Sequence, residues 1–399
     1  MDKHPWLTII GLGEDGPDGL TSASLAALKE AEIVMGPARH LALLPEMTAQ
    51  RVDWPVPFAE GIEQLLGFRG RRTVVLASGD PFWFGAGSVL ARHVEAGEWR
   101  ALPGPSCFSL AAARLGWPLE QTVCLGLHAA PLSRLRPHLA RGGRLIVTLR
   151  DGTAPAQLAA YLTGEGFGDS RLHVMQSLAG PGEAVSVHLA SALTEAEDFA
   201  HPLCVAIEVQ GMGASMGRAS GLSDDWFDHD GQITKRPVRA LTISALAPQP
   251  GEHLWDIGGG SGSIGIEWLL SDPSTRATVI EANAERAARI RSNAARLGVD
   301  RLDLVTGQAP AALEGLAPPD AVFIGGGLSE EMLERVIALA SGARLVVNAV
   351  TLESDALVTL AHARLGGELT RITLSEAAPL GAKRGWKTAY PITQLSVTL

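Results

Sequence analysis

At 399 residues the chain is long enough for two or three domains, and with 46% apolar and 19% charged residues it can bury sizeable cores. Its net charge of −10 excludes nucleic acid as a main partner, because phosphate backbones call for a basic face. The three cysteines, Cys107, Cys124 and Cys204, are widely spaced without a CxxC pair, which argues against a disulfide framework and a metal site and makes a reducing cytoplasm the expected location.

The amino-terminal stretch "MDKHPWLTIIGLGEDG" has an apolar run too short for a signal peptide, and no run reaches the length of a membrane span. A membrane partner is therefore not expected. Along residues 1–210, "WLTIIGLG", "RTVVLASGD", "RLIVTLRDG" and "LCVAIEVQG" predict strands, each rich in Val, Ile and Leu and ended by a glycine or acid. "TSASLAALKEA" and "FSLAAARLG" between them have helical spacing, and the first opens on a residue suited to an N-cap. This alternation predicts an α/β domain with mostly parallel strands.

Residues 211–233 are rich in Gly, Ser and Asp without periodicity and read as a linker. From 234 to 399 the alternation restarts, with strands predicted at "HLWDIG", "ATVIEAN", "LDLVTG", "DAVFIGG", "ARLVVNA", "LTRITLS" and "QLSVTL". The last two are expected to close a mostly parallel seven-stranded sheet as an antiparallel pair, with "EAAPLGAKRGWKTAYPI" as the loop between them.

The stretch "LWDIGGGSGSIGIEWLL" carries the strongest chemistry. Asp256 ends a strand, Gly258, Gly260 and Gly262 follow, and Glu281 comes near the end of the next strand. Such glycines let backbone approach a nucleotide-like ligand, and Glu281 suits a pair of ribose hydroxyls. Asp256 decides between cofactors. A carboxylate there would repel a dinucleotide's pyrophosphate, whereas S-adenosylmethionine (SAM) brings an ammonium and a sulfonium that an acid favours. The strand "DAVFIGGG" runs into glycines, not into the Asn/Asp-Pro-Pro-aromatic motif of amino-group methylation, which points to a carbon acceptor that needs little activation.

Two basic clusters flank this half: "TKRPVR", with Lys235, Arg236 and Arg239, and "AKRGWK", with Lys383, Arg384 and Lys387 beside Trp386. A flat ring among cations suits a planar polycarboxylate. Asn348, at a strand's carboxyl end, is a further candidate for the substrate pocket, with capping of the next loop as the alternative. In the first half, Gly11 and Gly13 follow a strand, Ser78, Gly79 and Asp80 end another, and Ser106 precedes a helix. These are the turns at which α/β proteins bind ligands.

Taken together, "IIGLGEDG", "SGDP" and "PGPS" resemble the tetrapyrrole methyltransferase family over roughly residues 5–210. "DWFDHDGQITKRPVRALTISAL", the glycine loop, the turn Gly307 to Pro310 and "DAVFIGG" resemble the methyltransferase often fused behind it in cobalamin biosynthesis. The resemblance implies a two-lobed class III SAM methyltransferase domain followed by a Rossmann-like class I SAM methyltransferase domain. It implies one SAM per domain, held by Gly11, Gly13, Ser78, Gly79, Asp80 and Ser106 in the first. In the second the corresponding residues are Thr234, Asp256, Gly258, Gly260, Gly262, Glu281, Gln308 and Ala309. Lys235, Arg236, Asn348, Lys383, Arg384 and Lys387 would then meet the substrate, a precorrin tetrapyrrole methylated at C5 and C15 and decarboxylated at the C12 acetate. No metal is required, because the macrocycle is its own electron sink, and relatives of both halves imply a homo-oligomer. A nicotinamide-dependent tandem oxidoreductase is the rival that Asp256 disfavours. A non-catalytic SAM- or tetrapyrrole-binding regulator would leave the basic clusters without a purpose.

Overall fold

The structure is a computed structural model that describes residues 5–399, so the first four residues of the amino-terminal stretch lie outside the described residues. The chain forms two compact units. One runs up to Leu132 and resumes at His138–Ala214; the other comprises Ser133–Pro137 and Ser215–Leu399.

In the first unit, β1 (Leu7–Leu12), β2 (Ile33–Gly36), β3 (Gln50–Asp53), β4 (Thr73–Ser78) and β5 (Trp99–Leu102) form a sheet ordered β3-β2-β4-β1-β5. Every pair in it is parallel. All six residues of β1 are buried, as expected for a strand covered on both faces. A second sheet comprises β6 (Val123–Gly126), β7 (Arg144–Thr148), β8 (Arg171–Gln176), β9 (Ala184–Leu189) and β10 (Leu203–Glu208), ordered β6-β7-β10-β8-β9. Here only β6 and β7 are parallel and β10 runs antiparallel to both its neighbours, so the unit is mostly parallel, as expected, through its first sheet and not its second. Alternation of strands with helices does not report strand direction when consecutive strands are not neighbours.

The second unit holds β11 (His253–Ile257), β12 (Arg276–Glu281), β13 (Asp303–Thr306), β14 (Ala321–Ile324), β15 (Arg344–Ala349), β16 (Glu368–Ile372) and β19 (Ile392–Thr398) in one sheet. The order is β13-β12-β11-β14-β15-β19-β16, parallel except at the two pairs made by β19. The segment read as a loop instead contains an antiparallel hairpin, β17 (Ser375–Leu380) with β18 (Lys383–Thr388). Gly381, with φ of +60°, makes its turn. The helix Ser263–Ser271 is buried nearly all round, which explains why its pattern reads as a continuous apolar run.

The stretch read as a linker contributes to this unit's core: Leu222 and Phe227 are buried beside Ile243, Leu246 and Trp268. Met216, Trp226 and Ile233 of the same stretch pack against that core, but these apolar residues are irregularly spaced and give no periodicity.

Candidate functional site

In the second unit a cavity of about 750 Å³ opens at the carboxyl ends of β11, β12, β14 and β15. β11 delivers Asp256 to it, and the chain then turns through Gly258 (φ +76°) and Gly260 (φ +58°), where L side chains are strained. A Cβ on Gly258 would stand 2.9 Å from the amide nitrogen of Gly326, so the two glycine loops touch there because Gly258 carries no side chain. Asp256 is 1% exposed, and its Oδ2 accepts the N–H of Gly265 at 2.9 Å. Burial pushes its carboxyl up to about 7; the Gly265 N–H opposes the shift, and the charge of Glu281 adds to it. Glu281 lies one residue past the Ile257–Ile280 pairing. Its Oε2 accepts the Gly260 N–H at 2.8 Å and its Oε1 that of Asn283 at 2.9 Å. Two buried carboxylates thus face one cavity, a charge pattern suited to a ligand that brings cations and hydroxyls.

Thr234, Lys235, Gln308, Ala309, Asn348 and Lys387 join Asp256, Gly258, Gly260 and Glu281 in the wall. Gly262 does not line the cavity: it caps the following helix with φ +77°, and a Cβ there would meet Ile290 at 2.9 Å. Arg236, Lys383 and Arg384 are exposed and lie outside the lining. Asn348 is held from two sides, its Nδ2 donating to Thr242 Oγ1 and its Oδ1 accepting from Gln394 Nε2, each at 2.9 Å. That network fixes the amide at the cavity wall and replaces the loop-capping alternative.

The first unit has its own cavity, of about 570 Å³, lined by Gly13, Ser78, Gly79, Asp80 and Ser106 among others. Gly11 stands behind the wall, where a Cβ would lie 1.7 Å from the carbonyl oxygen of Gly79 and 2.5 Å from the nitrogen of Gly104. Its role is to let three turns meet. Ser106 caps the helix Cys107–Leu115, its Oγ accepting the Ser109 N–H at 3.1 Å. Beside Ser78 lies the buried His40, whose Nε2 is 2.9 Å from the Arg39 guanidinium. Burial and the Arg39 charge push His40 down to about 4, so at neutral pH the ring is uncharged and accepts from Arg39.

Residues 225–399 match the family model described as "Precorrin methyltransferase domain", and residues 6–194 that described as "Tetrapyrrole (Corrin/Porphyrin) Methylases". The chain is 51% identical, over 99% of its length and 96% of the relative's, to a precorrin-6Y C(5,15)-methyltransferase [decarboxylating] of Sinorhizobium sp. The chain belongs to the precorrin-6Y C5,15-methyltransferase family. It is also 35% identical over 168 residues, 40% of this chain and 85% of the relative, to a cobalt-precorrin-6B C(15)-methyltransferase (decarboxylating) of Salmonella typhimurium. Among solved structures, the C-terminal domain of the family's Rhodobacter capsulatus member is similar, with 50% identity, 46% of this chain and 100% of that chain covered, and a TM-score of 0.45.

For a member of this family, two features of the basic clusters differ from the sequence expectation. Arg239 is fully buried and is a packing residue: its Nε donates to Glu267 Oε1 at 2.6 Å, and its other nitrogens donate to Leu222 O, Thr234 O and Asp224. Trp386 is 78% exposed and outside the lining, while Tyr390, which the sequence reading passed over, lines the cavity. An aromatic residue just before Pro391 was the available signal.

Proposed function

We propose that the chain methylates a precorrin at C5 and at C15 and removes carbon dioxide from its C12 acetate. One SAM binds in each unit, with C5 methylation in the first (residues 1–210 in the sequence division) and decarboxylation with C15 methylation in the second (residues 234–399). The observation that carries this reading is Asp256: a buried carboxylate sits where a dinucleotide would bring phosphate and SAM brings positive charge. A relative that combines C15 methylation and decarboxylation on one shorter chain supports assigning those two steps to one unit. A metal-free substrate is favoured by the full-length relative, whose name carries no cobalt.

SAM, when bound, supplies an electrophilic methyl group on a sulfonium. Asp256 offers its carboxylate to that positive charge, and Glu281 has lone pairs left beyond its two backbone contacts for ribose hydroxyls. Lys387 pairs with a substrate carboxylate, and Asn348, held by Thr242 and Gln394, presents a fixed amide edge to the ring. Loss of carbon dioxide leaves an electron pair that the conjugated macrocycle takes up; the electron-rich meso carbon would then form the new C–C bond as the methyl–sulfur bond breaks, its electron pair leaving with the neutral thioether. The protein's part is orientation and a preorganised polar wall. A cytoplasmic homo-oligomer without nucleic-acid or membrane partners completes the proposal. Among the described residues, no helix is long and apolar enough to cross a membrane.

Incubating the full chain with SAM and the precorrin should give a product with two added methyl groups and one carbon dioxide lost, read by mass spectrometry. A product with one methyl group, or without decarboxylation, would overturn the assignment.

A further inference from the structure

We propose that Trp83 and Phe84 form the platform on which the first unit's cavity stacks a flat conjugated macrocycle. The inference rests on the reading that this unit methylates a tetrapyrrole, and it names the residues that hold the ring.

Directly after Ser78-Gly79-Asp80, Asp80 Oδ1 accepts the Phe82 N–H at 2.8 Å and turns the chain. Three aromatic residues follow, and they part company. Phe82 stacks on Trp99, with centroids 5.3 Å apart and planes at 28°, and is not part of the cavity wall. Trp83 and Phe84 line the cavity and are each 52% exposed. Two adjacent large rings half-open to solvent on one wall are an unfilled apolar surface of the kind that marks a binding site.

Phe84 is also held against its own backbone preference. Its φ is +55°, a left-handed region that a bulky L residue occupies only under strain. Phe108 backs both rings, at 5.7 Å from Phe84 and 6.2 Å from Trp83. Gly126, at the end of β6, clears the space: a Cβ there would lie 2.9 Å from Phe84 Cγ and Cδ1. Gly126 is not among the glycines with left-handed backbone, so the absence of its side chain serves the ring and not a turn. The fold thus keeps a strained aromatic in place and makes room for it.

The rest of the wall suits the edge of such a ligand. Arg39, paired with Glu14, and Arg150, paired with Asp151, line the same cavity, so a carboxylate arm of the ligand would share or displace those acids, while Trp83 and Phe84 offer π faces to the ring.

The test uses the full-length chain with Trp83→Ala, Trp83→Phe, Phe84→Gly and Gly126→Ala. C5 methylation is followed against precorrin concentration, carbon dioxide release is measured in the same reaction, and SAM affinity is measured by calorimetry. Glycine fits the Phe84 backbone and relieves it, so Phe84→Gly should fold. Loss of one stacking ring should raise the precorrin KM for C5 methylation about tenfold, with SAM affinity within about twofold and carbon dioxide release unchanged. Gly126→Ala, which displaces the ring without deleting it, should shift KM the same way, and Trp83→Phe should restore most of the binding. Unchanged precorrin KM in all variants overturns the proposal. Lost SAM affinity with precorrin KM unchanged also overturns it, assigning the rings to adenine. If the variants weaken the C15 step instead of the C5 step, the platform stands and the division of labour between the units fails.

Discussion

Replacing Asp256 by Asn should change how the second unit responds to pH. The substitution keeps the shape and an oxygen to accept the Gly265 N–H, now at 2.9 Å, but deletes the charge. Folding raises the Asp256 carboxyl from 3.8 to about 7, so the folded chain holds this proton more tightly than the unfolded one. The stability that this provides is fully present below about pH 4, is lost as pH rises towards 7, and changes little above that. The gap corresponds to ~4 kcal/mol, an upper bound for what this one group withdraws from the ligand-free second unit across the window. The Asn variant lacks that slope and should be the more stable protein at pH 8. Hydrogen exchange in peptides from β11 and β12, followed from pH 4 to pH 8 and corrected for intrinsic rates, reports the local stability. A bound cation should lower the Asp256 pKa, so SAM binding near pH 7 should release a proton, visible as a binding heat that depends on the buffer. The Asn variant should show neither the binding nor the proton. Identical pH slopes for the wild-type chain and Asp256→Asn would show that the Asp256 carboxyl is not desolvated in the folded chain.

Arg239→Met should cost about 3–5 kcal/mol of second-unit stability, because it strands Glu267, which is 5% exposed, without its charge partner. Adding Glu267→Met should recover only part, since the N–H groups of Gly221 and Leu222 then lose their acceptor; a single-variant loss below about 1 kcal/mol in urea unfolding contradicts the reading. Lys387→Ala should raise the precorrin KM of C15 methylation up to about fivefold, while Lys383→Ala, outside the cavity wall, should leave it within about twofold; equal effects would show that the cluster acts only through long-range charge.

What could be read before folding was what lies close together along the chain. Asp256, the glycines and Glu281 sit at strand ends followed by helices, so their meeting follows from the parallel pairing of β11 with β12. The basic clusters were less legible because a run of like residues does not state which side chain turns inward. Arg239 shares a helix face with the buried Val238, Thr242, Ile243 and Leu246, and the buried acid waiting for it, Glu267, is 28 residues away. Lys387 and Lys383 lie on one strand of a hairpin whose alternation is too irregular to be seen in sequence. Trp83 and Phe84 were in plain view within "SGDPFWFGAG", yet nothing in that stretch separates them from Phe82, which finds a partner in Trp99. Their exposure depends on Phe108 and Gly126, which come from other parts of the fold.

The position of β19 has a consequence for biosynthesis. This strand, residues 392–398, slots between β15 and β16, and Leu395 and Val397 complete the core beneath them. While the ribosome still holds that segment, β16 has no neighbour and one flank of the second cavity is unfinished. The first unit has all its strands by residue 208 and can close while its successor is still being made. Emergence from the ribosome therefore allows the first cavity to form before the second can be completed.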